Sequence, residues 1–417
     1  MVECRVAHLS SHHQPVDNRI FQRECRSLAD AGYQVHFIVR NPADEIRDGV
    51  HIMAIPAPRN RLERVTVTAW HVFRRALESK ARIVHLHDPE LIPWGFLLRA
   101  MGRTVVFDVH EDFAHAAGVR SWIPKPLRGL VAHGWSGLAW LASRAFHIVI
   151  AERYYARSFP KSVKVLNYPH LERSAALRSV PRSAEPRDRI RLIYAGSVTI
   201  SRGAELHARL ATLLPGCLIH FCGNMSQATA DAIRRASGDA TIGVMAEDGS
   251  IAWEKRSDRP DAEVSTILLE GVGYYVTDRM VAALQEPWTA GLSIFPYSEH
   301  YYEKELTKFF EYMAAGLPLL VSDFPNWRAI VDGTQCGLAL DPERLDIAAE
   351  LIRRLHDSPA ERIAMGERGR AAVESRYSWT SQRQNLLDFY GSLVRPPAAP
   401  PMPNNNSSSD LEAEKSL

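Results

Sequence analysis

Residues 303–323 read Glu303-Lys304-Glu305-Leu306-Thr307-Lys308-Phe309-Phe310-Glu311-Tyr312-Met313-Ala314-Ala315-Gly316-Leu317-Pro318-Leu319-Leu320-Val321-Ser322-Asp323. Phe309, Tyr312 and Met313 fall at helical spacing, Gly316-Leu317-Pro318 ends the helix, and the apolar run after it reads as a strand. Lys308 and Glu311 are thereby predicted in the first turns of a helix, where free amides and the macrodipole favour a bound phosphate. Glu311 suits two hydroxyls of a ribose, and Glu303, in the preceding loop, a second hydroxylated group. On spacing alone the same residues also describe a surface helix with ordinary i, i+3 charge pairing.

Working outward, the helix-to-strand unit recurs along the chain. Strand-like runs occur at 5–9, 34–39, 83–86, 104–107 and 145–150, then at 190–196, 217–223, 292–295 and 319–322, with amphipathic stretches between them. One such stretch, Asn18 to Ala31, reads as a helix with Ile20, Cys25, Leu28 and Ala29 on one face. Alternation of this kind predicts α/β architecture with parallel sheets covered on both sides. Residues 1–170 form one doubly wound unit, 171–189 a linker rich in Arg, Ser, Ala, Pro and Glu, and 190–378 a second unit. Residues 246–263 read as an insertion loop, 379–395 as a final helix, and 396–417 as a low-complexity tail expected to be disordered. Ligands of open parallel sheets bind beyond the carboxyl ends of the strands, so the chemistry belongs there.

The 417 residues, 46% apolar and 24% charged, exclude a disordered chain, a collagen and a small disulfide scaffold. Five scattered cysteines without a CxxC pair point to a reducing cytosol, with neither structural zinc nor a disulfide framework. The amino terminus shows no signal-peptide pattern, and the Gly137–Ala151 stretch is too short for a spanning helix. The net charge of +2 hides an asymmetry. Residues 1–180 carry 25 basic and 16 acidic side chains, about +9, and residues 181–417 carry 25 and 32, about −7. The front half is the part suited to an anionic partner: a phosphorylated substrate or an anionic membrane surface. Nucleic acid is disfavoured, because no helix-turn-helix, finger or RNP-like string is present. The Trp122–Leu141 segment mixes Trp, Leu and cations. It reads either as an interfacial amphipathic helix or as a buried core helix, and with the basic front half the former is favoured.

The 303–323 segment resembles the signature of the retaining GT-B glycosyltransferases of family 4, a Glu-x7-Glu pattern around a lysine-containing FEYMAAG string followed by Pro, a strand and Ser-Asp. The likeness continues through Phe324-Pro325-Asn326-Trp327-Arg328, Gly337-Leu338-Ala339, Asp341-Pro342 and Tyr377-Ser378-Trp379. It spans nearly all of residues 1–395. The resemblance implies two Rossmann-like domains facing across a cleft, the last helix crossing back to the first, and transfer of a hexosyl or N-acetylhexosaminyl group from a nucleotide diphosphate sugar with retention. In similar enzymes a basic residue where Arg202 stands, together with the equivalent of Lys308, neutralises the donor diphosphate. They commonly carry both an Arg and a Lys in that loop, whereas only Arg202 is present here. Gly196, after a strand of the second unit, lets the donor approach the backbone, although no GxGxxG is present.

His110, in Asp108-Val109-His110-Glu111, resembles the family's histidine facing the donor sugar. It also reads as a strand-end histidine satisfied by its neighbours. The string from His110 to His115 misses HExxH by one residue, so zinc is not expected there. On the acceptor side, Asp17, Arg19 and His87 sit at strand ends. Asp17 and Arg19 serve equally well as helix caps, and the Gly-Gly loop of similar transferases is replaced by Ser10-Ser11-His12-His13-Gln14. The chain contains no Asp-x-Asp, and by resemblance no metal is expected: charge neutralisation falls to Arg202, Lys308 and helix dipoles. The catalytic set is thus His110, Arg202, Lys308 and Glu303, and the donor set Gly196, Arg202, Lys308 and Glu311. The expected acceptor is a saccharide, lipid-linked through a polyprenyl diphosphate, in envelope or exopolysaccharide synthesis on the cytoplasmic side. A sugar-nucleotide epimerase or hydrolase, and a catalytically silent nucleotide-sugar-binding scaffold, are the alternatives.

Overall fold

The computed structural model describes residues 4–110, 125–169, 189–255, 263–276, 278–299 and 301–394. The linker at 171–189, except Arg189, and the tail at 396–417 lie outside the described residues. Runs such as Ile83–Leu86 and Leu319–Ser322 are buried at every position, the mark of strands covered on both faces. The first sheet holds β1 (Arg5–Leu9), β2 (Gln34–Arg40), β3 (Glu45–Arg47), β4 (Val50–Ile55), β5 (Ile83–Leu86), β6 (Thr104–Val109), β7 (His147–Ile150) and β8 (Val163–Lys164). Its order is β3-β4-β2-β1-β5-β6-β7-β8, parallel except for β3 against β4. The second holds β9 (Arg191–Ala195), β10 (Leu218–Met225), β11 (Thr241–Met245), β12 (Ile251–Lys255), β13 (Thr266–Val272), β14 (Ala290–Ser293), β15 (Leu319–Ser322) and β16 (Gly337–Leu340). Its order is β12-β11-β13-β10-β9-β14-β15-β16, and only β12 against β11 is antiparallel.

Both sheets are doubly wound, as the alternation predicts. One core fills the second domain, while two cores lie on either face of the first sheet. The terminal helix Trp379–Val394 returns to the first domain: Trp379, Leu386, Phe389 and Tyr390 pack with Val6, Phe21 and Phe37, and Trp379 Nε1 donates to Ser27 Oγ at 2.9 Å. Each of these buried side chains contributes about 1.5–3 kcal/mol, which ties the end of the chain to its beginning.

Two expectations need correction. Residues 246–263 are not simply a loop, because Ile251–Lys255 pairs with β11 as an edge strand; Trp253 against Gly243 fits a pleated surface better than a helix or coil. Residues 256–262 lie outside the described residues. The helix expected from Asn18 begins as a π-helix, Ile20–Cys25, before turning α over Arg26–Asp30. Its wider turn, seen in Gln22 N–H bonding Asp17 O at 3.0 Å and Glu24 N–H bonding Arg19 O at 3.1 Å, puts Arg23 and Glu24 on the buried face beside the apolar residues.

Candidate active site

The helix over Thr307–Ala314 starts as expected, with Lys308 in its first turn. Lys308 is buried, and its Nζ lies 3.3 Å from the centroid of the Tyr194 ring and 5.7 Å from that of Phe295. It makes no hydrogen bond among the described residues. Burial pushes its ammonium well below the ordinary lysine range, Arg202 adds to this, and Glu311 opposes both. A desolvated cation held only by aromatic faces is poised for an anion. Gly196, at φ 107°, stands at the end of β9, and a side chain there would begin 3.7 Å from Lys308 Nζ. The glycine therefore keeps the approach to the ammonium clear.

Arg202 closes a short 3₁₀ turn, Ile200–Arg202. Its Nε donates to Tyr301 Oη at 3.5 Å and its guanidinium to Ser197 O at 3.4 Å, both long contacts. Gly203 next to it is left-handed at φ 79°, and a Cβ there would lie 2.0 Å from Ile294 O, so no other residue fits. Glu311 is half-buried near Lys308. The structure thus brings Gly196, Arg202, Lys308 and Glu311 together at the strand ends of the second sheet. Glu303 lies in the preceding loop and pairs with Arg157 of the first domain, while its backbone O accepts from Asn326 Nδ2 at 2.9 Å.

His110 follows β6 and is largely buried, with Nδ1 3.4 Å from Asp108 Oδ2 and its ring 5.2 Å from that of His13. Of the acceptor-side residues, Asp17 and Arg19 line the cavity between the domains and His87 is not among its lining residues. Asp17 is a cap, its Oδ1 accepting the backbone N–H groups of Arg19 and Ile20, both at 2.8 Å. Arg19 is committed to the interior: Nε and Nη2 bind Asp108 at 2.8 and 2.7 Å, and Nη1 binds Val165 O at 2.9 Å. His87 is fully buried between His8, at 2.9 Å, and Asp108, at 3.2 Å. Neither presents a free polar atom to the cleft, because a guanidinium or imidazole beside a buried carboxylate gains more from that charge than from solvent.

A cavity of ≈ 250 Å³ lies between the domains, lined by His13, His110, Glu152, Tyr168, Glu305 and Thr307 among others. Sequence reasoning missed two of its carboxylates. Glu152 stands two residues beyond β7, where the strand-end rule would have found it. One of its oxygens, Oε2, has no hydrogen bond among the described residues, and burial, with Glu305 nearby, lifts its pKa to about 7 against the pull of Lys304 and Arg19. Glu305 lies inside the 303–323 segment, and accepts from Tyr168 Oη at 3.1 Å while Arg153 Nε approaches at 3.1 Å. Arg153 and Arg157 thus clasp Glu305 and Glu303 across the domain boundary.

Two doubly wound sheets turning their strand ends toward one cleft, with unspent cationic charge on one side and polar side chains on the other, define the GT-B class of sugar-transferring enzyme. Residues 18–162 match the model of a glycosyl transferase 4-like domain, and residues 252–388 that of a glycosyl transferase-like family. The two matches together take in well over half of the chain, which belongs to the GT-B glycosyltransferases, of the family-4-like kind. No curated protein matches it. Among solved structures it is similar in fold to sucrose-phosphate synthase of Thermosynechococcus elongatus, with a TM-score of 0.67 at 16% identity, over 94% of this chain and 99% of that one. HepE of Anabaena, solved with UDP-glucose, gives 0.63 at 10% identity over 93% and 99%. A UDP-forming trehalose-phosphate synthase of Burkholderia xenovorans gives 0.63 at 14% over 95% and 100%.

Proposed function

We propose that this glycosyltransferase moves a hexosyl or N-acetylhexosaminyl group from a nucleotide diphosphate sugar to a saccharide acceptor, with retention and without a metal. The observation that carries this reading is Lys308: a buried ammonium without a hydrogen-bond partner among the described residues, beside Gly196 and within electrostatic reach of Arg202. A diphosphate supplies the missing charge, and two cations plus the helix amides neutralise it as the glycosidic bond loosens. Glu311 then takes the ribose hydroxyls. Glu303 exchanges Arg157 for hydroxyls of the transferred sugar, and His110 faces that sugar from the first domain. The acceptor hydroxyl attacks the face the diphosphate leaves, and its proton passes to the leaving phosphate oxygen, so no nucleophilic side chain is required. Structures of similar fold solved with UDP and UDP-glucose favour a uridine donor.

A lipid-linked acceptor in envelope or exopolysaccharide synthesis is supported by the surface of the first domain. No helix of the described residues is long and apolar enough to cross a membrane. Yet Leu62, Val65, Val67, Trp70, Leu97, Met101, Trp140 and Leu141 are exposed on neighbouring helices that also carry Arg61, Arg64, Arg99 and Arg144. Apolar side chains interleaved with arginines suit the headgroup level of an anionic membrane. Of the Trp122–Leu141 segment, 122–124 lie outside the described residues, and the remainder belongs to the helix Lys125–Ala145.

Thermal stabilisation by UDP, GDP, ADP and dTDP and their sugar conjugates, with EDTA present, tests the donor side. Glu311→Gln is expected to weaken donor binding, and Lys308→Ala to lower turnover by about 10²–10³-fold or more. Wild-type turnover in both variants would overturn the assignment.

A further inference from the structure

Beneath the cleft, on the face of the first sheet covered by the first and last helices, lies a group of side chains the transfer reaction does not use. His8 and His85 are register partners on β1 and β5, so their side chains leave the sheet on the same face, and His87 follows two residues later on that face. Glu24 descends on them from the π-helix. All four are 0% exposed. Glu24 Oε2 is nearly equidistant from three imidazole nitrogens: 3.8 Å from His8 Nδ1, 3.9 Å from His85 Nδ1 and 3.9 Å from His87 Nε2. It hydrogen-bonds none of them, and neither carboxylate oxygen has a hydrogen bond among the described residues. Its charge partner is Arg19, whose Nη2 lies 3.2 Å from the other oxygen, Oε1, so Oε2 is left facing three imidazoles with no hydrogen bond among the described residues, an arrangement that a cation at the centre would satisfy.

One hydrogen bond from outside the group already fixes a lone pair toward the centre. Asp108, an acceptor only, takes the proton of His87 Nδ1 at 3.2 Å, which leaves His87 Nε2 unprotonated toward the centre. Tyr390 Oη stands 3.3 Å from His8 Nε2 and hydrogen-bonds His85 Nδ1 at 2.7 Å, so a metal at the centre takes the place of that hydroxyl on His85 Nδ1 and leaves Tyr390 Oη to accept from His8 Nε2. His8 Nδ1 and His87 Nε2 approach to 2.9 Å through one shared proton, which moves to His8 Nε2, facing Tyr390, when both nitrogens become ligands. Arg19, 3.2 Å from Glu24 Oε1, does not repel a cation by a net charge, because Asp108 neutralises it in a bidentate pair. Tetrahedral zinc with bonds of about 2.0–2.1 Å separates its ligands by roughly 3.3–3.4 Å, a few tenths of an ångström from the spacings to Glu24.

We propose that His8, His85, His87 and Glu24 form a structural transition-metal site of the three-histidine, one-carboxylate type, suited to Zn²⁺, which pins β1, β5 and the first helix together under the cleft. It is separate from the donor site, and the transfer proposed above does not use it. A second group, His220, Cys222 and Glu270, has only three donors, and Arg279 Nε already lies 3.0 Å from Glu270. The test loads the untagged full-length chain with Zn²⁺, dialyses it against metal-free buffer and counts metal by mass spectrometry, with Co²⁺ as an optical probe. About one zinc per chain is expected, with a visible Co²⁺ spectrum. Both are expected to be lost in Glu24→Gln and in a Glu24→Gln/His87→Gln double variant, and kept in His220→Gln. Circular dichroism establishes that each variant is folded. Substoichiometric zinc in the folded wild type, zinc retained by folded Glu24→Gln, or zinc lost from folded His220→Gln each overturns the site; the wild-type count and the His220→Gln control decide even where both Glu24 variants fail to fold.

Discussion

Replacing Glu152 by Gln tests both the electrostatics of the cleft and the use of its first-domain wall. The Glu152 carboxyl is raised from 4.5 to about 7, burial being the largest cause. Over that interval the folded chain holds a proton the unfolded chain has released, so stability falls as pH rises from about 4.5 to about 7 and stays lower above it. The full displacement corresponds to about 3 kcal/mol, and the partial exposure of the side chain reduces this to about 1–2 kcal/mol. Glutamine keeps the shape and removes the ionisation. Denaturant unfolding as a function of pH should therefore give equal stabilities near pH 4 and a variant more stable by about 1–2 kcal/mol at pH 8. If Glu152 also receives an acceptor hydroxyl, the same variant raises the acceptor KM and leaves nucleotide binding unchanged. Parallel pH profiles for wild type and variant would refute the electrostatic reasoning, whatever happened to activity.

Nucleotide binding carries its own pH signature. Lys308 has to be protonated to hold a diphosphate, so affinity should fall as pH rises through its depressed value, well before an ordinary lysine would discharge; calorimetry in buffers of different ionisation enthalpy reads this as proton uptake on binding, and its absence would count against Lys308 as the anchor. Gly203→Ala forces a Cβ to within 2.0 Å of Ile294 O at a left-handed φ and should destabilise the second domain by about 2–4 kcal/mol, measured by denaturant unfolding; an unchanged midpoint would show that the turn is not constrained.

The placement of Gly196, Arg202, Lys308 and Glu311 at strand ends of the second sheet was legible because its information is local. Lys308 and Glu311 share one helix, Gly316-Leu317-Pro318 ends it, and Gly196 and Arg202 sit within seven residues at the end of one strand. Period and punctuation suffice to place such residues at strand ends. The acceptor half was not legible in the same way. Asp17, Arg19 and His87 carry the right chemistry for a sugar, and Asp17 and Arg19 do line the cavity between the domains, but the fold gives Asp17 Oδ1 to backbone amides and pairs Arg19 and His87 with Asp108, 89 and 21 residues away in sequence. The π turn that brings Glu24 under three histidines has no composition of its own, since a π-helix differs from an α-helix by one hydrogen-bond step.

The sequence by itself determined two doubly wound domains and the final helix, because hydrophobic period and helix ends are properties of short stretches; that this helix returns to the first domain was implied by the resemblance and is decided by its packing. Only the tertiary structure decided that Arg157 and Arg153 clasp Glu303 and Glu305 across the cleft, that Glu152 faces it with a high pKa, and that His8, His85, His87 and Glu24 meet. Those outcomes depend on contacts between segments far apart in the chain, and on how burial weighs each charge against its neighbours, neither of which any local pattern encodes.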